Sequence, residues 1–187
     1  DNTSDNILNT YNEERIEAAK ENIANSSRAT NFMTPKNKMA KVFRDQVLDL
    51  ATSNQFSRKL INSGRLSVPF KLDGLKLDNE YKDDPLLGSI YIDFPILDRK
   101  GNRLFLTDVI AASYNLLSFS KMKIEVPFDL NIISVGKETN QDIDFLDFEG
   151  KGLERYTVDL NYLIRPDGYI VGIFKEFNIK TIEKCML

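Results

Sequence analysis

The sequence contains no histidine and only one cysteine, and these absences exclude much of the chemistry that enzymes use. Without histidine there is no imidazole to act as a general base, complete a serine triad or bind a metal ion. A single cysteine forms neither an internal disulfide nor a CxxC redox pair. No GxGxxG or GxxxxGKS/T loop is present, so no recognised motif holds a dinucleotide. Little catalytic chemistry remains.

The rest of the composition is typical of a soluble globular protein. The chain has 187 residues, of which 42% are apolar and 28% charged. This length fits one domain, or one and a partial second. The composition excludes a disordered chain, a collagen and a disulfide scaffold. No apolar run approaches the roughly 18 residues of a membrane helix, so we expect no membrane association.

Charge is distributed unevenly around a net value of −3. Residues 1–70 carry ten basic and eight acidic side chains, whereas residues 71–187 carry fifteen basic and twenty acidic ones. Neither part has the basic character of a nucleic-acid binder, so we expect no such partner. The polar stretch that opens at Asp1 is not a secretory signal, which favours a cytoplasmic location.

The first third of the sequence predicts three helices. The first runs from a cap at Ser4 or Asp5 to about residue 27, with apolar residues at spacings of three and four. Thr34-Pro35 breaks this pattern and begins a second helix, because proline suits the first helical turn. That helix reaches about residue 52, and a third spans 56–63. The apolar stripes of the first two helices include Leu8, Tyr11, Phe43, Val47 and Leu50.

Residues 66–84 lack long periodicity and end in the charged cluster Lys82-Asp83-Asp84. Composition and charge both change within this stretch. It is interpreted as a linker that contains at most one short strand, at 68–72. The sequence therefore predicts two domains, a helical segment at 1–70 and a second domain at 71–187.

The second domain is predicted to be α/β, with a central mixed sheet and flanking helices. A short helix is predicted at 103–113, strands at 114–120 and 130–135, a hairpin of strands at 160–165 and 169–175, and a last helix at 177–187 capped by Asn178. Pro166-Asp167-Gly168 is a strong turn signal for that hairpin. Two apolar strands, a hairpin and a closing helix form the order of a thioredoxin-like sheet.

The sequence offers two candidates for a reactive or metal-binding site, a single cysteine and an acidic segment. Cys185 has no partner cysteine, and residues 118–122 lack the CxxC that thioredoxin chemistry needs, so Cys185 is interpreted as a packing residue. The acidic residues of 142–149 do not fit a calcium loop, because Leu146 and Asp147 stand where an oxygen ligand and glycine are required. The cluster is interpreted as a solvated loop, and its acidic members are Asp142, Asp144, Asp147 and Glu149.

Several short motifs follow one another in a particular order. Tyr11, Glu14 and Arg15 form a YxxER motif, and residues 62–67 read NSGRLS. Between them lie SRATNFMTP at 27–35 and FRDQVLDLA at 43–51, and the predicted hairpin turn at 165–168 reads RPDG. In order and spacing the series resembles the C-terminal part of FAD-dependent aromatic-ring hydroxylases (group A flavoprotein monooxygenases), most closely the phenol hydroxylase and 3-(3-hydroxyphenyl)propionate hydroxylase type.

The resemblance covers nearly the whole chain and implies that its two parts belong to different domains of a longer protein. Residues 1–70 would be the end of the flavin domain of a longer parent protein, and 71–187 a thioredoxin-like domain without redox cysteines. The connection at 121–129 is too short for a full crossover, so a trimmed fold is expected. The parent would hydroxylate a phenolic ring with FAD, NAD(P)H and O2, whereas the dinucleotide fingerprint would lie upstream of Asp1.

For this chain alone we expect no catalytic, cofactor-binding or metal-binding residue. Its role would be structural, with the parent's flavin domain as one partner and a second copy of the chain, in a homodimer, as another. One alternative is a stand-alone, redox-inactive thioredoxin-like interaction module. A weaker one is a helical adaptor fused to such a domain.

Overall fold

A computed structural model describes residues 5–55 (backbone only for 5–11), 57–58, 69–72, 81–120, 126–138 and 143–186. The chain divides into two compact units, Asp1–Phe70 and Lys71–Leu187. We call them the helical unit and the sheet unit, and each is described by itself.

Two long helices form the described part of the helical unit. Helix α1 spans Asp5–Met33, so it continues beyond the predicted end near residue 27. It ends just before Thr34 because Pro35 disfavours the helical conformation of the residue that precedes it. Helix α2 spans Lys38–Ser53 and begins after the proline rather than at it.

The start of α2 is set by a side-chain cap. The Asn37 side-chain oxygen accepts a hydrogen bond of 2.8 Å from the backbone N–H of Ala40, which satisfies one of the free donors of the first turn. Of the third predicted helix, 56–63, only residues 57 and 58 are described, and both are helical. In the predicted strand 68–72, residues 69–72 are not a strand, and residue 68 lies outside the described part.

The described residues of the sheet unit form a seven-stranded mixed sheet, which confirms the predicted α/β class. In chain order its elements are β1 (Pro95–Asp98), β2 (Arg103–Phe105), α3 (Leu106–Val109), β3 (Tyr114–Ser118), β4 (Leu130–Gly136), β5 (Phe145–Leu146), α4 (Lys151–Arg155), β6 (Asn161–Ile164), β7 (Ile170–Phe174) and α5 (Ile179–Cys185). The strand order is β2-β1-β5-β4-β3-β6-β7. Strand β4 is parallel to both β3 and β5, and the remaining pairs are antiparallel.

The predicted central elements are confirmed and the predicted helix at 103–113 is wrong. Strands β3, β4, β6 and β7 lie where apolar runs predicted them, and Asn178 caps α5. Residues 103–105 instead form β2, because a turn at Asp98–Asn102 folds them back along β1 with Leu104 opposite Ile96. Only Leu106–Val109 are helical. In the predicted crossover at 121–129, only 126–129 are described, and they are not helical.

An aromatic cluster lies at the centre of the core. The rings of Phe94, Phe119 and Tyr156 lie within about 6 Å of one another, and Tyr162 meets Tyr156 edge-on at 4.9 Å. A Cβ on Gly152 would come within 2.5 Å of the Phe94 ring, so this close approach requires glycine. The buried cluster consists of Leu87, Phe94, Ile96, Leu106, Leu117, Phe119, Ile133, Val135, Tyr156, Leu160, Tyr162, Ile164, Ile170 and Ile173.

Candidate functional site

Helix α2 of the helical unit carries large apolar side chains that are exposed to solvent. Met39 is 83% exposed, Val42 and Phe43 are each 61% exposed, and Leu50 is 54% exposed. Their spacing places them along one face of the helix. Large apolar side chains at these exposures cost free energy in water, and a stripe of them is typical of a surface that binds a partner.

Helix α1 carries further exposed apolar residues. Ile16, Ile23 and Met33 are all exposed. The two helices make few contacts with each other; one is a hydrogen bond of 3.2 Å from the Arg44 guanidinium to the Met33 carbonyl. Among the described residues of this unit, only Ala18 and Val47 are buried apolar residues. We call the exposed apolar residues Met39, Val42, Phe43 and Leu50 of α2 the helical face.

The helical face agrees only in part with the stripes that the sequence indicates. Phe43 and Leu50 are exposed, but Val47 is buried. Leu8 and the motif residue Tyr11 have side chains outside the described part of the chain. Exposure of a predicted stripe could not be deduced from the sequence, because an amphipathic pattern is the same whether or not a partner covers it.

The position where thioredoxins carry their redox cysteines holds serines instead. Ser118 ends β3 and is fully buried, and its hydroxyl contacts that of Ser120 at 3.1 Å. Cys185 lies in α5 at 5% exposure. Burial raises the pKa of its thiol, and the charge of Lys184 offsets this effect only in part. The thiol therefore stays protonated near neutral pH and is a poor nucleophile, in agreement with its interpretation as a packing residue.

One member of the acidic cluster, Asp147, is buried rather than solvated, which corrects the sequence interpretation for that residue, whereas the side chains of Asp144 and Glu149 are partly exposed. Asp147 is 4% exposed, and one of its carboxylate oxygens accepts a hydrogen bond of 3.0 Å from the backbone N–H of Leu153. Its other oxygen has no hydrogen-bond partner among the described residues. Asp144 accepts from the Ser134 hydroxyl at 2.7 Å, and Glu149 pairs with Arg103 at 2.8 Å. Asp142 lies outside the described residues.

Neither a metal site nor a bilayer-spanning helix is found in the described part of the chain. No three histidine, cysteine, aspartate or glutamate residues come together there as metal ligands. Among the same residues, each helix is too short or too polar to cross a bilayer. The feature left to explain is the helical face.

Several solved structures share the fold of this chain. OxyS, an anhydrotetracycline hydroxylase from Streptomyces rimosus, matches with a TM-score of 0.55 at 21% identity, over 89% of this chain and 32% of its own. BexE, studied for oxidation during BE-7585A biosynthesis, matches with a TM-score of 0.55 at 14% identity, over 96% of this chain and 35% of its own. The flavin-dependent monooxygenase PieE matches with a TM-score of 0.48 at 11% identity, over 93% of this chain and 37% of its own.

These likenesses show a fold shared with part of larger proteins. The chain spans about a third of the length of each of these three structures. Thioredoxin-like chains also match, at lower TM-scores. No family model matches the sequence, and no curated protein matches it.

Proposed function

We propose that this chain is the C-terminal portion of an FAD-dependent aromatic hydroxylase, and that its helical face packs against the flavin domain of that parent. The observation that carries the proposal is the exposure of Met39, Phe43 and Leu50 together with the few contacts between α1 and α2. Helices without tertiary packing are marginal in water, so this pair needs a covering surface. The ordered motifs and the fold shared with OxyS support a hydroxylase parent.

The chain itself would be structural. In the parent, FAD reduced by NAD(P)H would activate O2 and hydroxylate a phenolic ring. Dinucleotides are held by glycine-rich loops at helix N-termini, where backbone N–H groups reach the phosphates. The sequence has no such loop, so its residues do not fit the cofactor and no reaction step is assigned to them. The sheet unit would close the parent chain and contribute to a homodimer.

One experiment compares this chain with a version extended upstream of Asp1. The reading frame upstream is expected to encode a strand–GxGxxG–helix unit. The extended protein should bind FAD and oxidise NAD(P)H faster when a phenol is present, whereas the 187-residue chain should leave gel filtration colourless after incubation with FAD. A start codon at or near Asp1, or a stoichiometric yellow complex of the short chain, would contradict the proposal.

A stand-alone interaction module is the second candidate. It is favoured by the sheet unit, whose own described residues form the buried aromatic cluster of Phe94, Phe119, Tyr156 and Tyr162. In that case the absence of a redox cysteine pair leaves binding as the function. An upstream reading frame without a dinucleotide-binding unit would favour this candidate over the first.

A further inference from the structure

The hairpin turn of the sheet unit contains a dipeptide that is chemically unstable in flexible chains. The sequence has two Asp-Gly pairs, at 73–74 and 167–168, and the second lies between β6 and β7. Glycine has no side chain to shield its backbone nitrogen, so that nitrogen is able to attack the side-chain carbonyl carbon of the preceding aspartate. Asp167 and Gly168 therefore carry both reactants of an intramolecular modification.

This modification needs no reagent other than water. The Gly168 nitrogen forms a bond with Cγ of Asp167, and the hydroxyl of the protonated carboxyl leaves as water with the proton of that nitrogen, which closes a succinimide ring. Water then opens the ring at either carbonyl. One opening restores aspartate, whereas the other gives isoaspartate, in which the backbone passes through the side chain and is one CH2 longer.

The attacking nitrogen is held by the backbone of the turn. The Gly168 N–H donates a hydrogen bond of 2.8 Å to the Arg165 carbonyl, which closes the turn. The Gly168 carbonyl accepts a hydrogen bond of 2.9 Å from the Tyr91 N–H. Rotation of the Asp167–Gly168 peptide toward the aspartate side chain would break the bond to Arg165.

The carboxyl under attack is held by the side chain of Arg165. The Nε atom and a terminal nitrogen of its guanidinium donate to the two carboxylate oxygens of Asp167, at 2.9 and 2.8 Å. This two-point contact fixes the orientation of the carboxylate. The guanidinium carbon also lies 5.9 Å from the centre of the Tyr169 ring, and the side chains of both ion-pair partners are partly shielded from water.

The same contact disfavours the protonated form that the reaction needs. Only a protonated carboxyl releases its hydroxyl readily as water. Burial raises the pKa of Asp167, but the hydrogen bonds and the positive charge of Arg165 outweigh burial and lower the pKa. Loss of the Arg165 side chain would therefore release the carboxyl and increase its protonated fraction.

We propose that Asp167–Gly168 is a latent site of covalent self-modification, at which aspartate converts to isoaspartate, and that the contact with the Arg165 side chain keeps it from reacting. The additional CH2 would lengthen the turn next to the bond of 2.8 Å from the Arg165 N–H to the Tyr169 carbonyl, and so weaken the hairpin. The site lies wholly in the sheet unit and does not depend on which candidate function is correct.

Mass spectrometry of the full chain, aged at neutral pH and physiological temperature, tests the proposal by measuring isoaspartate at residue 167. Arg165→Gln should raise the rate of isoaspartate formation severalfold over wild type. Arg165→Lys keeps the charge but not the two-point contact, so it should give an intermediate rate. In concentrated urea, wild type and Arg165→Gln should react at the same rate, because the contacts are lost in both.

Two controls separate the contact from a general loss of stability. Ile182→Val removes a CH2 from a fully buried side chain of α5 and should leave the folded-state rate at the wild-type value. The other Asp-Gly pair, at 73–74 outside the described residues, is the positive control for the assay in urea. If Arg165→Gln does not fold, the rate of Arg165→Lys decides.

Three results would overturn the proposal. The first is an unchanged folded-state rate when the Arg165 side chain is replaced. The second is a wild-type chain that reacts as fast in the folded state as in urea. The third is an equal increase for Ile182→Val and Arg165→Gln, since stability and not the carboxylate contact would then control the reaction.

Discussion

Two phenylalanines show how the two units of this chain differ. Phe43 in α2 is 61% exposed, and Phe94 in the sheet unit is 1% exposed. The helical unit has a long helix of 29 residues but almost no buried apolar side chains among its described residues. The sheet unit consists of strands of two to seven residues, yet it has a continuous core.

Regular secondary structure and a folded core are therefore separate properties of a chain. An isolated helix is held by local hydrogen bonds and is marginal on its own, whereas short strands are held by the side chains that they bury together. The helical unit therefore resembles one side of an interface, and the sheet unit resembles an independent domain.

The largest change in unfolding behaviour is expected when the chain is divided between its two units. A version that starts at Leu66 should keep a cooperative unfolding transition, because the whole buried cluster lies in the sheet unit. Residues 1–70 alone should show no cooperative transition, since few of their apolar residues are buried. Thermal unfolding followed by near-ultraviolet circular dichroism measures both.

Light scattering on the same proteins tests how the helical face is covered in solution. The full chain is expected to be a dimer, because two-fold pairing is the commonest way to hide a self-complementary apolar patch. The version that starts at Leu66 should be a monomer. A monomeric full chain with exchange-protected amides over residues 8–23 would contradict this expectation.

The second largest effect is the loss of unfolding free energy expected when each of the two phenylalanines is replaced by alanine. Phe94→Ala should lower the free energy of unfolding by about 3–5 kcal/mol, because it leaves a cavity beside Phe119 and Tyr156. Phe43→Ala should change the free energy of unfolding of the sheet unit by less than about 0.5 kcal/mol, because Phe43 lies in the helical unit. Urea unfolding of both variants gives the difference. Equal losses would mean that the two units unfold in one transition.

Elements with strong local signals could be predicted from the sequence. The apolar runs around Leu116 and Ile133 predicted β3 and β4, since buried parallel strands are continuously apolar. The turn at 166–168 predicted the hairpin because proline and glycine determine backbone angles directly. Asn178 predicted the start of α5 by the same kind of local chemistry.

Elements defined by distant partners could not be predicted. Strand β5 is two residues long and exists because β1 and β4 flank it. Strand β2 was predicted as helix, and pairing with β1 overrides that local preference. For the helical face the sequence predicts only an apolar stripe, because the exposure of that stripe depends on what covers it.

The third effect concerns the hairpin turn of the sheet unit. Gly168 has a φ of +89°, and a Cβ there would lie 3.4 Å from the Tyr91 ring. Gly168→Val should lower the free energy of unfolding by more than about 1 kcal/mol, because a β-branched residue is strained at positive φ. Asp167→Asn should cost well under that amount. Equal melting temperatures for the two variants would argue against a tight turn.

The smallest effect is a pH dependence at Asp167. Burial opposes ionisation of this carboxyl, but two hydrogen bonds of 2.9 and 2.8 Å from Arg165 and its positive charge outweigh burial and lower the pKa. A carboxyl with a lower pKa in the folded than in the unfolded state stabilises the fold above its unfolded pKa of about 3.9. This contribution is lost as the pH falls through the lower, folded pKa.

The stability difference between wild type and Asp167→Asn should therefore be constant from pH 7 to about 5 and shrink as the solution is acidified further. Urea unfolding at a series of pH values measures this difference.

The control lies in the helical unit, where Arg44 and Asp45 are paired at 2.6 Å. Because that unit has few buried apolar residues, Asp45→Asn should leave the main transition unchanged at every pH. A difference for Asp167→Asn that grows in acid would contradict the assigned direction of the pKa. A change in the main transition caused by Asp45→Asn would mean that the helical unit unfolds together with the sheet unit.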